Sequence, residues 1–203
     1  MARYSDEHKE SVRARIVAQA ARALRGEGLA GVGIPALMKR AGLTHGGFYR
    51  HFESRDELVA EAVRATADET GPHVFGAAVG ADDPLAAVLE AYLHPDHRRH
   101  PDRGCALAAL GTEASHQPAA VRRAFAEIAM RFLRQLDTVV EARLGSSGPK
   151  ESSDRLRDET LAIAASMIGG MVLARLVRDE ALADRVLAAV RRYAAELPQE
   201  PRR

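Results

Sequence analysis

Residues 34–58 read IPALMKRAGLTHGGFYRHFESRDEL, and the fold turns on them. Pro35 near the start and Gly42 just past the end bracket a short helix, since proline suits the first helical turn and glycine the residue after the last. Thr44 can cap a second short helix running to about Phe52. The two meet at the tight turn Ala41-Gly42-Leu43, where Ala36, Leu37, Ala41, Leu43, Phe48 and Phe52 can fill a small shared core. The second helix then exposes His45, Gly46, Gly47, Tyr49, Arg50 and His51. This spacing predicts a helix-turn-helix whose second helix is free to enter a major groove. Ser54-Arg55-Asp56-Glu57 comes next as a capping box before Leu58, Val59, Ala62 and Val63, which starts a further helix.

Each exposed residue has a chemical use on DNA. A helix N-terminus offers unpaired N–H groups and a positive dipole end, both suited to phosphate, and the Thr44 hydroxyl can add a bond there. Gly46 and Gly47 cost about 1 kcal/mol each against alanine inside a helix, a cost offset if they let the backbone approach DNA closely. Tyr49 and His51 can donate to phosphate oxygens, and Arg55 can pair with a phosphate. Arg50 and His45 are the candidates for base edges. Taken singly, Tyr49, His51 or the Lys39-Arg40 pair would be ordinary solvated surface; order and spacing together carry the reading.

Working outward, the pattern is helical throughout. Val12, Ile16, Ala20 and Leu24 recur at helical spacing in a run that ends at Gly26 and Gly28. GPHVFGAAVGADD (71–83) reads as a loop, and the helix from Ser54 is expected to reach about Glu69. Helices are expected over 84–93, 105–115, a long stretch from Pro118, 153–178 and 181–197, with a loop at 145–153. No segment alternates as a half-buried strand would, so the chain reads as all-α. With 203 residues and 46% apolar content it can bury a sizeable core. Net charge is only +1, but residues 1–55 carry ten Lys and Arg against five Asp and Glu, a basic portion suited to a polyanion. The lone Cys105 rules out an intramolecular disulfide, and MARYSDEHKE lacks the apolar core of a signal peptide. The apolar run Leu161–Ala174 is too short to span a bilayer. These features point to a cytoplasmic protein with no membrane partner.

Together, RIVAQAARALRGEG, ALMKRAGLTHGGFYRHF and ESRDELVAEA make the stretch from about Ser11 to Val63 resemble the N-terminal domain of TetR-family transcriptional regulators. The resemblance implies a three-helix helix-turn-helix domain over residues 1–53 and a helical ligand-binding and dimerisation domain over 54–203. It also implies a homodimer on a palindromic double-stranded operator, and repression relieved by a small-molecule effector. Carried over position by position, it makes Thr44, His45, Gly46, Gly47, Tyr49, Arg50, His51 and Arg55 the DNA-facing set. Gly33 departs from the family, which usually has a Thr or Ser there to cap the first short helix and touch a phosphate. Gly47 replaces a more usual Thr, Ser or Ala, and Arg55 a commoner Lys.

For the dimer, the candidates are Ala165, Gly169, Gly170, Met171, Ala174, Leu182, Val186, Val190 and Tyr193, where small residues allow close helix approach and the others supply apolar area. The same residues could pack only within one subunit; the family's four-helix dimer interface favours the former. Leu89, Tyr92, Leu93, Cys105, Leu107, Leu110, Phe125, Ile128, Met130 and Phe132 are candidates to line an effector pocket, although a plain bundle core has the same signature. The cluster His94, Asp96, His97, His100, Asp102 and Cys105 opens an alternative, a metal- or thiol-responsive sensor on the same scaffold. Its neighbours Arg98, Arg99 and Arg103 disfavour a cation, so no metal or cofactor is expected. No phosphate loop, nucleophile elbow or paired metal-binding carboxylates point to an enzyme.

Overall fold

In α1 (Ala2–Glu27) the residues Val12, Ile16, Val17, Ala20, Ala21, Ala23 and Leu24 fall on one side of the helix and are all buried. The structure is a computed structural model and describes residues 2–31, 33–144 and 156–196. Among the described residues every regular element is helical: after α1 come α2 (Ile34–Arg40), a 3₁₀ segment (His45–Arg50), α3 (Arg55–Gly76), α4 (Pro84–Tyr92), α5 (Pro95–Arg99), a 3₁₀ turn (Pro101–Arg103), α6 (Ala106–Ala114), α7 (Ala119–Leu144), α8 (Asp158–Leu176) and α9 (Glu180–Glu196). The all-α expectation therefore holds. The loop expected around 145–153 and the chain end from Leu197 lie outside the described residues.

The chain divides into two compact units, residues 1–68 with 101–128, and residues 69–100 with 129–203. In the first, α1 packs on α2 and α6. Its core joins the buried face of α1 to Leu37, Met38, Phe48, Phe52, Leu58, Val59, Ala62 and Val63, and to Ala106, Leu110, Val121, Ala124, Phe125 and Ile128. The expected core of the short helix pair is corrected at Ala36, which is exposed, while Met38 fills the interior; Leu43 is half-buried and packs against the core as expected. Beyond α1, the Leu29 amide donates to Glu113 Oε2 of α6 at 2.9 Å, and the buried Arg25 donates to the Gly104 carbonyl.

In the second unit α8 packs along α9, and α4 also packs on α9. Ile163, Ala164, Met167, Gly170, Met171 and Ala174 form the buried side of α8. A Cβ placed on Gly170 would lie 2.8 Å from Val190 Cγ2, so glycine is what lets the two helices approach this closely. At 19 residues α8 exceeds the Leu161–Ala174 run and, by length and composition alone, is long and apolar enough to cross a membrane. Its inner side is nevertheless that of a helix packed on a neighbour. The stretch 71–83 also differs from expectation: α3 continues through Gly71 and Pro72 to Gly76, and only then does the chain turn, with Gly80 at φ +74°. Pro72 lacks the N–H that would continue the ladder, yet its fixed φ is helical and the helix absorbs one lost bond.

Candidate nucleic-acid interface

The turn between α2 and the 3₁₀ segment is built by backbone bonds. The Leu43 amide donates to the Met38 carbonyl at 2.9 Å and the Gly42 amide to the Lys39 carbonyl at 3.0 Å, with Gly42 at φ +73°. That pairing is the Schellman arrangement, which uses a left-handed residue to satisfy the last carbonyls of a helix. It stops α2 and redirects the chain across it.

His45–Arg50 is a 3₁₀ rather than an α-helix. Two consecutive glycines in a six-residue element supply little intrinsic helicity, and short 3₁₀ pieces are common in that situation. Thr44 occupies the N-cap position in extended conformation, but its side chain makes no capping bond, unlike the sequence expectation. Its hydroxyl is exposed and not used within the fold as a cap. Phe48 anchors the segment: it is fully buried, stacks on Phe52 at 5.6 Å and meets the Tyr49 ring edge-on at 5.2 Å. With Phe48 inside, Tyr49 turns outward at 67% exposure, its ring 6.5 Å from that of His45. Thr44, His45, Gly46 and Arg50 are exposed, while Gly47 and His51 are half-buried.

The end of the segment is electrostatically distinct. The His51 Nδ1 is buried and has no hydrogen-bond partner among the described residues. Burial, reinforced by the cations Lys9, Arg13 and Arg50, holds its imidazole below its ordinary range. The capping box forms with one change. Ser54 Oγ accepts from the Glu57 amide at 3.1 Å, but the Glu57 carboxylate reaches back to the Glu53 amide at 2.6 Å, one residue short of Ser54. A hydrogen bond from Arg13, then that from Glu53, holds the Glu57 carboxyl below the usual carboxylate range. Arg55 is half-buried and donates to the Leu29 carbonyl, so within the free chain its guanidinium braces the loop after α1. Gly33 caps α2 with no side-chain bond, and a Cβ there would meet only Pro35 Cδ, at 3.7 Å. The sequence reading missed Arg13, which contacts Glu57, Glu61 and His51; its partners lie 38 to 48 residues away, and no local spacing signals them.

The remaining candidates separate. Leu110, Phe125 and Ile128 belong to the core of the first unit, Leu107 packs against that core, and Cys105 is buried at the start of α6. Leu89, Tyr92, Leu93 and Phe132 are buried in the second unit. There the Tyr92 ring lies 5.7 Å from Phe132 and 4.8 Å from His97, and Phe132 lies 5.5 Å from Phe75. Met130 is exposed. Of the dimer candidates, Ala165, Gly169, Leu182 and Tyr193 are exposed and Val186 and Val190 half-buried, whereas Gly170, Met171 and Ala174 face inward. Leu161, Leu173 and Leu176 add exposed apolar surface to α8, with Leu176 at 75%. His94 Nδ1 accepts from the Asp96 amide, His97 Nδ1 lies 2.6 Å from the Tyr92 carbonyl oxygen, and His100 pairs with Asp96. Among the described residues no three His, Cys, Asp or Glu side chains gather to hold a metal ion, so the metal-sensor alternative lacks a site there.

Comparison with known proteins agrees with this geometry. The model for bacterial regulatory proteins of the tetR family matches residues 16–62, and that for the tetracyclin repressor-like C-terminal domain matches residues 81–190. An uncharacterised HTH-type transcriptional regulator of Mycobacterium tuberculosis is 29% identical over 201 residues, covering 94% of this chain and 98% of its own. Among solved structures, a TetR transcriptional regulator from Chloroflexus aurantiacus is similar at 26% identity with a TM-score of 0.72, covering 94% of this chain and 97% of its own. A TetR-family regulator from Cytophaga hutchinsonii shares the fold at a TM-score of 0.76 and 19% identity, covering 93% and 95%.

Proposed function

The chain belongs to the TetR family of bacterial transcriptional regulators, and from that premise we propose that it is a homodimeric repressor released from a palindromic operator by a small molecule. DNA-binding regulation is the family's activity, and the family is not enzymatic. The observation that carries the reading to particular residues is the exposure of His45, Tyr49 and Arg50 on a segment that the Gly42 turn and buried Phe48 hold against α2. Arg50 and His45 address base edges; Thr44, Tyr49, His51 and the backbone at Gly46 and Gly47 address phosphates. Arg55 supports the loop after α1 in the free chain and turns to phosphate only on binding.

The functional division proposed is 1–53 for DNA contact and 54–203 for effector binding and dimerisation, with α3 shared between the two compact units. The dimer surface is the outer side of α8 and α9: Leu161, Ala165, Gly169, Leu173, Leu176, Leu182 and Tyr193. Exposed leucines on a long regular helix call for a second apolar surface. The effector is a small, largely apolar molecule, and its proposed contacts are Leu89, Tyr92, Leu93 and Phe132, supported by the aromatic cluster around Tyr92. A cytoplasmic location fits these roles.

Selection from random duplex DNA tests the proposal. It is expected to recover an inverted repeat whose half-sites are centred about 10 base pairs, or a multiple of that, apart. Recovery of no consensus, or of a single unrepeated site, would refute the dimeric-repressor reading.

A further inference from the structure

The segment His45–Arg50 is short, and at its ends Gly47 donates to the Thr44 carbonyl while His51 and Phe52 donate to the Phe48 carbonyl. At its far end a side chain from α1 reaches it. Arg13 Nη1 donates to the His51 carbonyl oxygen. Its Nη2 donates to Glu57 Oε1 at 2.8 Å and to Glu61 Oε2 at 2.5 Å, and its Nε lies 3.2 Å from both Glu61 oxygens. The guanidinium carbon sits 4.2 Å from the centroid of the Phe52 ring. Glu57 and Glu61 are four residues apart and so share one side of α3.

A guanidinium has five donors in a rigid plane, and that fork can serve two carboxylates and a carbonyl at once while its face lies on an aromatic ring. A lysine ammonium is a point charge that cannot span the same set. The contacts also argue against Arg13 as a phosphate ligand. Its Nε and Nη2 donors are directed at Glu57 and Glu61 and its Nη1 at the His51 carbonyl, so its bonds are made within the fold.

We propose that Arg13 is a positioning residue for DNA recognition: by tying the His51 carbonyl and the Phe52 ring to Glu57 and Glu61 of α3, it sets the angle at which His45, Tyr49 and Arg50 are presented, without itself meeting DNA. This rests on the DNA-binding reading above. Base-edge hydrogen bonds are directional, so a small rotation of the segment removes them while phosphate contacts elsewhere persist.

The test uses the full chain as Arg13→Lys, Arg13→Gln and Glu61→Gln, with wild type, far below each melting temperature. Three quantities are read: thermal stability, amide hydrogen exchange in peptides covering residues 45–52, and affinity for the selected operator across a salt series. The expected result is faster exchange confined to 45–52 and an operator affinity about tenfold weaker, ~1.4 kcal/mol, in Arg13→Lys as well as Arg13→Gln. The salt slope is unchanged, and Arg13→Gln combined with Glu61→Gln is less than additive. Lower melting temperatures with unchanged affinity and exchange would overturn the proposal, leaving Arg13 a stabilising residue only. A salt slope reduced by about one would also overturn it, because Arg13 would then be a phosphate contact. If wild type binds no selected DNA, the repressor reading fails by itself, and exchange over 45–52 still decides whether Arg13 holds the segment.

Discussion

The segment His45–Arg50 and the outer side of α8 are both exposed, and they are built on opposite terms. The first is a short 3₁₀ piece with two glycines, anchored by a single buried phenylalanine and offering imidazole, phenol and guanidinium. The second is part of a 19-residue helix with a fully packed inner side, offering Leu161, Leu173 and Leu176. A polyanion is bound by hydrogen-bonding and charged groups whose backbone can adjust. A second copy of the chain is bound by apolar area on a rigid element, since burial of apolar surface is worth about 25 cal/mol per Å² only where the surfaces fit. The two regions thus carry the two halves of the proposed activity in different chemistry, and each can be perturbed alone.

The sharpest way to break the comparison is at α8. Leu173→Glu with Leu176→Glu changes side chains that are exposed in the single chain, so each subunit should fold normally. Sedimentation is expected to show a monomer, and operator affinity should fall on the order of a hundredfold through loss of the second half-site. A dimer that persists would place the interface elsewhere. Next in size is Gly42→Ala. A Cβ at this position meets nothing within 4 Å, so the cost is backbone strain alone, about 1–2 kcal/mol at φ +73°. Denaturant unfolding should report that loss with the dimer intact.

Acidification separates the regions without mutation. His51 and Glu57 both have folded pKa values below their ordinary ones of 6.5 and 4.5. A depressed group contributes stability above its unfolded pKa and loses it as pH falls toward the folded value. The unit containing the helix-turn-helix should therefore lose stability as pH drops below about 6.5, and again below about 4.5. In Glu57→Gln the lower limb should flatten, as measured by exchange in residues 34–63 across pH. The smallest effect is expected at Gly33→Ser. The site has room, and a capping hydroxyl should add a few tenths of a kcal/mol and a modest gain in operator affinity, read by melting and by titration.

The same contrast explains what could be read from the sequence. The helix-turn-helix was legible because its determinants are local: Pro35, Gly42, Ser54 and Glu57 each act within a few residues. Even there, the 3₁₀ form of His45–Arg50 and the unused Thr44 cap were not foreseen, since the glycine pair weakens the helix that the spacing suggests. The outward side of α8 was not legible, because the helix is apolar almost all round. Which side turns inward is set by α9, through the contact of Gly170 with Val190, and not by any periodicity in α8 itself. The pocket candidates mixed two cores for a related reason. Leu110, Phe125 and Ile128 are as apolar as Tyr92 and Phe132, and only the tertiary fold assigns them to different units. Likewise 71–83 looked like a loop because Gly71 and Pro72 are loop residues by composition, whereas α3 carries them in its last turns.

The central claim, that the His45–Arg50 segment reads an operator, is tested most directly by titrating the selected operator with wild type and Tyr49→Ala over a range of salt. Tyr49 is exposed, so its truncation should leave the fold unchanged. The account predicts tight wild-type binding that weakens steeply with salt, and a mutant about tenfold weaker on the operator at every salt concentration. Equal binding by the two proteins would contradict it.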